Sequence, residues 1–301
     1  MDGIIALYKD QGMTSFACVN RLRHVLHEKR IGHAGTLDPN VDGVLPICIG
    51  KATKVVDFLH EQPKTYVGEL LIGEATETED LDGQVIATKQ VTAPIGDQFL
   101  QQTMAAMTGK LTQVPPMYSA VRVHGKHLYE YARAGETVDR PKRQVVIDSF
   151  KLVSSTYDAN NGQQRVRFKV QCSKGTYVRT LAVDLAKNLG YPGVMSSLTR
   201  VASGGFTIDQ TISLQDVDDL VASQMISNYV LPLAIAFEDW QQVELTADQW
   251  QAVQHGGWLT VNELPANSQE RVALFYHGNI KALYYRADQQ HYKPLKMLAV
   301  N

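Results

Sequence analysis

The segment Arg165-Val166-Arg167-Phe168-Lys169-Val170-Gln171-Cys172 alternates strictly between polar and apolar side chains. Successive side chains of a β-strand point to opposite faces of the sheet, so this two-residue period predicts a strand. One face of that strand belongs to a core, and the other presents a row of cations to its surroundings. Two further strands are predicted from Thr65 to Gly73 and from Gln144 to Val153.

Three segments have the period of an amphipathic helix. The first follows the N-capping residue Thr14 and places Phe16, Val19 and Leu22 on its apolar face. The second covers residues 100–107 and ends at Gly109, and the third covers residues 178–189 and ends at Gly190. Helices and strands are mixed without regular β-α-β alternation or internal repeats. The expected fold is therefore α+β, a mixed and mainly antiparallel sheet with flanking helices.

The pattern changes after Leu231-Pro232-Leu233. Thr246 is placed to cap a short helix, and strands at 271–276 and 280–286 flank the turn His277-Gly278-Asn279 as a hairpin. We therefore predict two domains, residues 1–239 and a small, strand-rich, barrel-like module at residues 240–301.

Composition excludes several classes of protein. The chain has 301 residues, of which 44% are hydrophobic and 20% charged, as in ordinary globular proteins. It has no apolar run of the ~20 residues that span a membrane and no signal-peptide pattern, which predicts a cytoplasmic protein. The cysteines Cys18, Cys48 and Cys172 are far apart and odd in number, so we expect buried, reduced thiols rather than a disulfide framework or a zinc site.

The net charge of -2 conceals an uneven distribution of charge. Residues 110–187 carry 14 Lys/Arg and 6 Asp/Glu, whereas residues 209–301 carry 5 and 11. An excess of cations in the middle of the chain fits either a binding surface for a polyanion or an ordinary solvated face.

The loop Gly32-His33-Ala34-Gly35-Thr36-Leu37-Asp38-Pro39 combines a carboxylate, an imidazole and two glycines. Pro39 keeps Asp38 out of the helical region, and the glycines allow close approach of another molecule to the backbone. By itself the loop fits a simple turn as well as a reactive site.

Three other motifs resemble known ligand-binding loops only in part. Residues 43–53 end like a phosphate loop, but their two glycines are too far apart. The acidic run 74–82 lacks the ligand spacing of a calcium loop, and His124 and His127 lack a second ligand pair for zinc. A nucleotide-binding enzyme built on residues 43–53 remains a weaker hypothesis.

Six segments, taken together, resemble the bacterial tRNA pseudouridine synthase B (TruB-like) family in order and spacing. They are GHAGTLDPNVDGVLPICIGKATK (32–54), KTY (64–66), GEATETEDLDG (73–83), VPPMYSAVRVHGKHLYEYAR (114–133), CSKGTYVR (172–179) and LTRVASGGF (198–206). The resemblance implies an enzyme that isomerises the uridine at position 55 in the T arm of tRNA. It also implies a catalytic domain at 1–239 and a PUA-type RNA-binding module at 240–301.

The resemblance assigns catalytic roles to three residues. Asp38 corresponds to the catalytic carboxylate, which either attacks the sugar or the base or removes a sugar proton. Arg179 corresponds to the arginine that pairs with it and favours its charged form. Tyr66 corresponds to the tyrosine that stacks on the target base and lies near the proton on C5. No cofactor and no metal are expected.

The remaining expected contacts are with the substrate, a T-arm stem-loop whose target base is flipped out. His33 corresponds to a residue that fills the space left by flipped nucleotides. Tyr177 and Leu198 correspond to the walls around the uracil, and Gly35, Thr36 and Leu37 are further expected contacts with the substrate. The candidate phosphate contacts are Lys64, Arg122, Lys126, Arg140, Lys142, Arg143 and Lys174. We expect a monomer without an obligatory protein partner or membrane contact. The rival hypothesis is a non-catalytic tRNA-binding or RNA-folding module on the same scaffold.

Overall fold

A nine-stranded mixed sheet and a five-stranded sheet organise the chain, and the computed structural model describes residues 1–298. The described strands are β1 (Gly3–Lys9), β2 (Ile31–His33), β3 (Asp42–Ile49), β4 (Lys64–Ile72), β5 (Glu74–Thr76), β6 (Val85–Thr88), β7 (Gly109–Gln113), β8 (Arg122–Val123), β9 (Lys126–His127), β10 (Arg143–Asp158), β11 (Gln163–Cys172), β12 (Gly193–Ser203), β13 (Phe206–Thr207), β14 (Gln241–Glu244), β15 (Leu259–Thr260), β16 (Arg271–Tyr276), β17 (Asn279–Arg286) and β18 (His291–Met297).

Helices connect and cover these strands. The α-helices of the described residues are α1 (Ser15–Val25), α2 (Val56–Glu61), α3 (Asp97–Ala106), α4 (Leu128–Ala134), α5 (Val178–Asn188), α6 (Leu214–Ala222) and α7 (Ala247–Val253). None of them is long and apolar enough to cross a membrane.

The large sheet has the strand order β1-β3-β12-β4-β11-β10-β7, with β2 beside β3 and β13 beside β12. Among the described strands of this sheet only β3 and β12 pair in parallel, so the predicted α+β fold with a mainly antiparallel sheet is confirmed. The alternation that predicted β11 is also confirmed: Val166, Phe168 and Val170 are fully buried, while Arg167 and Lys169 are exposed. Strand β10 runs to Asp158, five residues beyond the prediction. Its pairing with β11 contains two bulges and continues to the pair of Asp158 with Gln163, which keeps the end of β10 extended.

The predicted helices are present, with one correction. Thr14 caps α1 by accepting a hydrogen bond from the backbone of Ala17. The predicted apolar face was wrong at Phe16, which is 60% exposed. Cys18 takes the buried place beside Val19, so the face of α1 that enters the core is rotated relative to the prediction. All three cysteines are buried and free, as expected.

One apolar core lies between the large sheet and its helices, with α3 on β10 and α5 on β12. A second core lies on the other side of β1 and β3. There Ile4 and Val44 pack with Phe237 and with Phe275 and Leu283 of the five-stranded sheet. The two sheets therefore share a core.

The five-stranded sheet has the order β14-β16-β17-β18-β15 and contains the predicted hairpin of β16 and β17. Thr246 caps α7, as predicted. In residues 1–298 the edge strands β14 and β15 do not pair, so the described hydrogen-bond ladder is open rather than closed into a barrel.

Strand β1 is held on both edges. One edge pairs with β3 along its whole length. On the other edge Ile4 exchanges backbone hydrogen bonds of 2.8 and 2.9 Å with Leu231, and the backbone N–H of Tyr8 donates to the carbonyl of Ile212 at 2.8 Å. The strand thus joins parts of the chain that are more than two hundred residues apart.

Candidate active site

The loop between β2 and β3 is held by polar contacts with its backbone. The hydroxyl of Ser15, in the first turn of α1, accepts a hydrogen bond of 2.9 Å from the N–H of Leu37. The ammonium of the fully buried Lys9 donates to the carbonyl of Pro39 at 3.1 Å. Asp38 lies between these two points, and 47% of its side chain is exposed. The loop thus presents a solvent-accessible carboxylate on a braced backbone.

Arg179 is the partner of that carboxylate. It lies in the first turn of α5, its side chain is 6% exposed, and its Nη2 is 3.0 Å from Oδ2 of Asp38. Nη2 also donates to the carbonyl of Tyr118 at 3.0 Å, and Nη1 donates to the carbonyl of Thr78 at 2.7 Å and to Oδ2 of Asp80 at 3.1 Å. These partners hold the guanidinium in place, so the orientation of Arg179 toward Asp38 does not depend on the ion pair between the two.

Asp80 belongs to the acidic run that superficially suggested calcium. Its carboxylate holds Arg179 and also accepts hydrogen bonds from the hydroxyl of Thr78 at 2.6 Å and the N–H of Asp82 at 3.2 Å. The structure therefore gives this segment the role of an arginine anchor. In residues 1–298 no group of three or more His, Cys, Asp or Glu side chains is arranged to hold a metal ion.

A cavity of about 370 Å³ opens beside Asp38. Ten of the predicted site residues line it: Gly35, Thr36, Leu37, Asp38, Lys64, Tyr66, Arg143, Tyr177, Arg179 and Leu198. His60, Ser119 and Arg200 also line it, and the sequence did not single them out. The volume is at the lower end of the range typical of small-molecule sites.

Tyr66 and Lys64 both face the cavity from β4. Burial raises the pKa of Tyr66, and the positive charge of Arg200 opposes that rise. Burial lowers the pKa of Lys64 to about 8, with a smaller contribution from Arg200. The ammonium of Lys64 donates to the carbonyls of His60 at 2.8 Å and Gln62 at 3.1 Å. Lys64, predicted as a phosphate contact, is thus a buried residue of the cavity wall.

Tyr177 in the cavity wall is held by one cation–π contact and by two hydrogen bonds to its backbone. The guanidinium of Arg143 lies 5.3 Å from the ring centre of Tyr177, a distance suited to a cation–π interaction. Gln113 bonds both the N–H and the carbonyl of Tyr177, at 3.0 and 3.1 Å, and thereby fixes the start of α5.

His33 is not part of the cavity wall. It lies on β2 opposite Ile47, and burial lowers its pKa, with Arg200 acting in the same direction. Its Nδ1 is buried and has no hydrogen-bond partner in the part of the chain that the structure describes. The expected contact with flipped nucleotides therefore stays a prediction.

The other predicted phosphate contacts lie on the surface outside the cavity: Arg122, Lys126, Arg140, Lys142 and Lys174. Four of them already have partners, including Arg122, whose Nε donates to Nε2 of His127 at 3.3 Å. Lys126 is 3.7 Å from the carboxylate of Glu136, Lys174 pairs with Glu61, and Arg140 donates to the carbonyl of Pro115 at 3.0 Å. Lys142 has no recorded partner in residues 1–298.

The alternative reading of residues 43–53 as a phosphate loop is wrong. Gly43 is the second residue of strand β3, and Gly50 begins a 3₁₀-helix, Gly50–Val55. An extended strand between the two glycines leaves no loop to wrap a phosphate. The structure does not support a zinc site at His127 either. Both ring nitrogens already have partners: one contacts the carbonyl of Ala120 at 2.8 Å and the other the guanidinium of Arg122 at 3.3 Å.

Comparison with known proteins gives consistent matches. Residues 23–178 match the N-terminal domain of the TruB family pseudouridylate synthases, and residues 179–238 match the tRNA pseudouridylate synthase B C-terminal domain. A tRNA pseudouridine synthase B of Limosilactobacillus reuteri is 59% identical, and one of Lactiplantibacillus plantarum is 50% identical; both alignments cover 100% of each chain. Among solved structures, a chain of a Cbf5-Nop10-Gar1 complex superposes with a TM-score of 0.74 at 25% identity, covering 99% of this chain and 85% of the other.

Proposed function

The chain belongs to the TruB family of tRNA pseudouridine synthases, and from that premise we propose that it converts the uridine at position 55 in the T arm of tRNA into pseudouridine. The observation that carries this proposal is the ion pair of Asp38 and Arg179 in the wall of the cavity that Tyr66 also lines. A reactive carboxylate, a fixed cation and an aromatic ring for stacking are thus within one site.

The reaction rearranges bonds without any net change in composition. The bond between N1 of uracil and C1′ of ribose breaks, the base rotates, and C5 bonds to C1′. The proton on C5 is lost and N1 ends with a proton, so neither water nor a redox partner is consumed. We propose that Asp38 starts this sequence, either by attack on the sugar or base or by removing a sugar proton. Both roles need the ionised carboxylate, and Arg179 lies beside it as the counter-charge.

Access of the base to Asp38 requires that the uridine leave the RNA stack. Such flipping costs a few kcal/mol, and contacts within the site recover it. We propose that Tyr66 stacks on the flipped uracil, with Leu198 and Tyr177 as neighbouring walls. The exposed cations outside the cavity, Lys142 among them, then bind phosphates of the stem and orient the arm.

We also propose that residues 240–301 are a PUA-type RNA-binding module joined to a catalytic domain at 1–239. The support is a five-stranded sheet with an exposed aromatic residue beside it: Trp258, which directly precedes β15, is 54% exposed, and the ammonium of Lys293 in β18 is 3.8 Å from its ring centre. Such a pair suits stacking against a nucleotide. We expect the protein to act as a monomer in the cytoplasm and to need no cofactor.

The test is a mass assay for pseudouridine on a T-arm stem-loop. Asp38→Ala is expected to abolish product while T-arm affinity stays within about threefold, because the neutral side chain removes the reaction but few RNA contacts. Asp57→Ala, at an exposed position of α2, is the matched control and keeps full activity. Wild-type protein that binds the arm tightly and leaves its uridine unchanged would instead establish the rival, a non-catalytic RNA-binding module.

A further inference from the structure

Arg200 is the largest fully buried side chain of the described residues. A buried cation costs several kcal/mol of solvation unless other groups compensate it. In residues 1–298 no carboxylate lies within ion-pair distance of Arg200. An apolar residue would fill the same volume without that cost, so the charge at this position calls for a role.

The guanidinium is bound by three carbonyl groups. Nε donates to Val44 at 2.8 Å, Nη2 to Gly35 at 3.0 Å and Nη1 to Thr36 at 3.3 Å. Gly35 and Thr36 precede Asp38 in the loop, and Val44 lies in β3 after it. One planar group therefore ties the entrance of the catalytic loop to the strand at its exit.

The backbone around Arg200 is placed with little freedom. Arg200 pairs with Gly43 across the parallel β12–β3 contact, and a Cβ at Gly43 would lie 2.2 Å from the carbonyl oxygen of Arg200. Gly35 has a φ of +109°, and a Cβ there would lie 3.4 Å from Nη1 of Arg200 and 3.3 Å from Cε of Lys64. Both glycines thus permit the close approach that brings the loop carbonyls to the guanidinium.

Asp38 itself is not immobilised by burial, because about half of its side chain is exposed. Its position therefore depends on its backbone, which Lys9 holds at Pro39 and Arg200 holds at Gly35 and Thr36. We propose that Arg200 is a positioning residue for the isomerisation: it braces the loop so that the carboxylate of Asp38 meets Arg179 and the bound uridine. This inference rests on the proposed function.

The experiment compares four variants in single-turnover pseudouridine formation and in T-arm affinity, with Asp38→Ala as a fifth protein for the guanidinium test. Arg200→Lys keeps a charge but not the fork that reaches three carbonyls, and Arg200→Gln removes the charge. Arg200→Ala leaves space for added guanidinium ion at millimolar concentration. Arg23→Gln is the control, because Arg23 donates to the carbonyl of Ile31 away from the cavity and is expected to leave turnover unchanged.

A misplaced carboxylate lowers the rate of chemistry more than it weakens RNA binding. The expected result is a loss of about 100-fold in single-turnover rate for Arg200→Lys and Arg200→Gln, with affinity within about threefold of wild type. Guanidinium is expected to restore at least about tenfold in Arg200→Ala and nothing in Asp38→Ala, a response that an effect on folding alone does not produce.

Folded Arg200→Gln with a rate within about threefold of wild type overturns the inference, and so does an Arg200→Ala protein that guanidinium leaves unchanged. If the Ala and Gln variants do not fold, Arg200→Lys decides, because it retains the buried cation. Wild-type protein that forms no pseudouridine on the T arm refutes the proposed function instead, so the two failures are distinguishable.

Discussion

Nη2 of Arg179 lies 3.0 Å from Oδ2 of Asp38, and the two side chains differ sharply in exposure, at 6% and 47%. The cation is the fixed partner, since Asp80 and the carbonyls of Thr78 and Tyr118 hold it from behind. The carboxylate is the accessible partner. Under the proposed function, this asymmetry presents Asp38 to the RNA with its counter-charge already in place, so the pair is preorganised before the substrate binds.

Asp80→Asn is expected to lower the rate of pseudouridine formation by about 10- to 100-fold, because a charge-assisted bond to Arg179 contributes about 1.5–3 kcal/mol. Affinity for the T arm is expected to stay the same, since Asp80 sits behind the arginine. Single-turnover assays measure the effect. Asp82→Asn is the control, because the recorded side-chain partner of Asp82 is Asn40. Equal losses in the two variants would contradict the prediction.

Tyr66→Phe is expected to keep T-arm affinity, whereas Tyr66→Ala weakens binding by about 1–3 kcal/mol, the contribution of one stacked base. The reason is that burial raises the pKa of Tyr66, so its hydroxyl is a poor base at neutral pH and the ring is its main contribution. Affinities are best measured in the Asp38→Ala background, where the RNA stays unmodified. A Phe variant as weak as the Ala variant would assign the contact to the hydroxyl.

Lys142→Gln is expected to reduce the salt dependence of T-arm binding. Each phosphate contact contributes about -0.9 to the slope of log K against log salt on a duplex, so one lost contact makes the slope shallower by about one unit. Lys187→Gln, at an exposed position near the end of α5, is the control and keeps the wild-type slope. Unchanged slopes in both variants would remove Lys142 from the RNA contacts.

Lys64 predicts a specific dependence of stability on pH. Its pKa falls from the usual 10.5 to about 8 in the folded state because of burial, so the unfolded chain binds more protons between these values. The contribution of Lys64 to the free energy of unfolding therefore rises as the pH increases from about 8 to 10.5. Urea unfolding of wild type and Lys64→Met at several pH values isolates this contribution. The difference in the free energy of unfolding between the two proteins is expected to grow in favour of wild type as the pH rises. A constant difference would contradict the lowered pKa.

Phe237→Ala is expected to destabilise the whole chain by about 3–5 kcal/mol. Phe237 is fully buried in the core shared by the two sheets, with ring centres 5.3 Å from Phe58 and 5.2 Å from Trp240. All three tryptophans lie beyond residue 239, so their fluorescence reports on the small sheet while circular dichroism reports on the entire chain. The two signals are expected to coincide in urea unfolding, and an earlier fluorescence transition would show that the small sheet unfolds alone.

Local patterns were enough to predict much of the fold. Alternation predicted β11 and its basic face, and capping residues predicted the start of α1 and of α7. The error at Phe16 shows the limit of this approach. A helical period marks an apolar stripe, but the buried direction depends on which side the sheet lies, and a small residue such as Cys18 fills it as readily as a large aromatic residue.

The family resemblance named Asp38, Tyr66 and Arg179 as site residues, and the structure places all three in the lining of one cavity. The residues that position them were not singled out. Lys9 and Arg200 act on backbone carbonyls, and nothing in their sequence neighbourhood marks a contact with a carbonyl 30 or 165 residues away. Long cations are usually exposed, so their complete burial is visible only after the strands have been assembled.

Strand β1 carries Lys9 to the loop that holds Asp38, yet its outer edge is completed by Ile212 and Leu231. During synthesis this strand emerges from the ribosome early and waits for more than two hundred further residues before its last hydrogen bonds form. Pairings between such distant residues close slowly, because a long stretch of chain must first be ordered. The geometry around Asp38 is therefore acquired late. A nascent chain whose Asp38 loop has already emerged from the ribosome is not yet able to modify RNA.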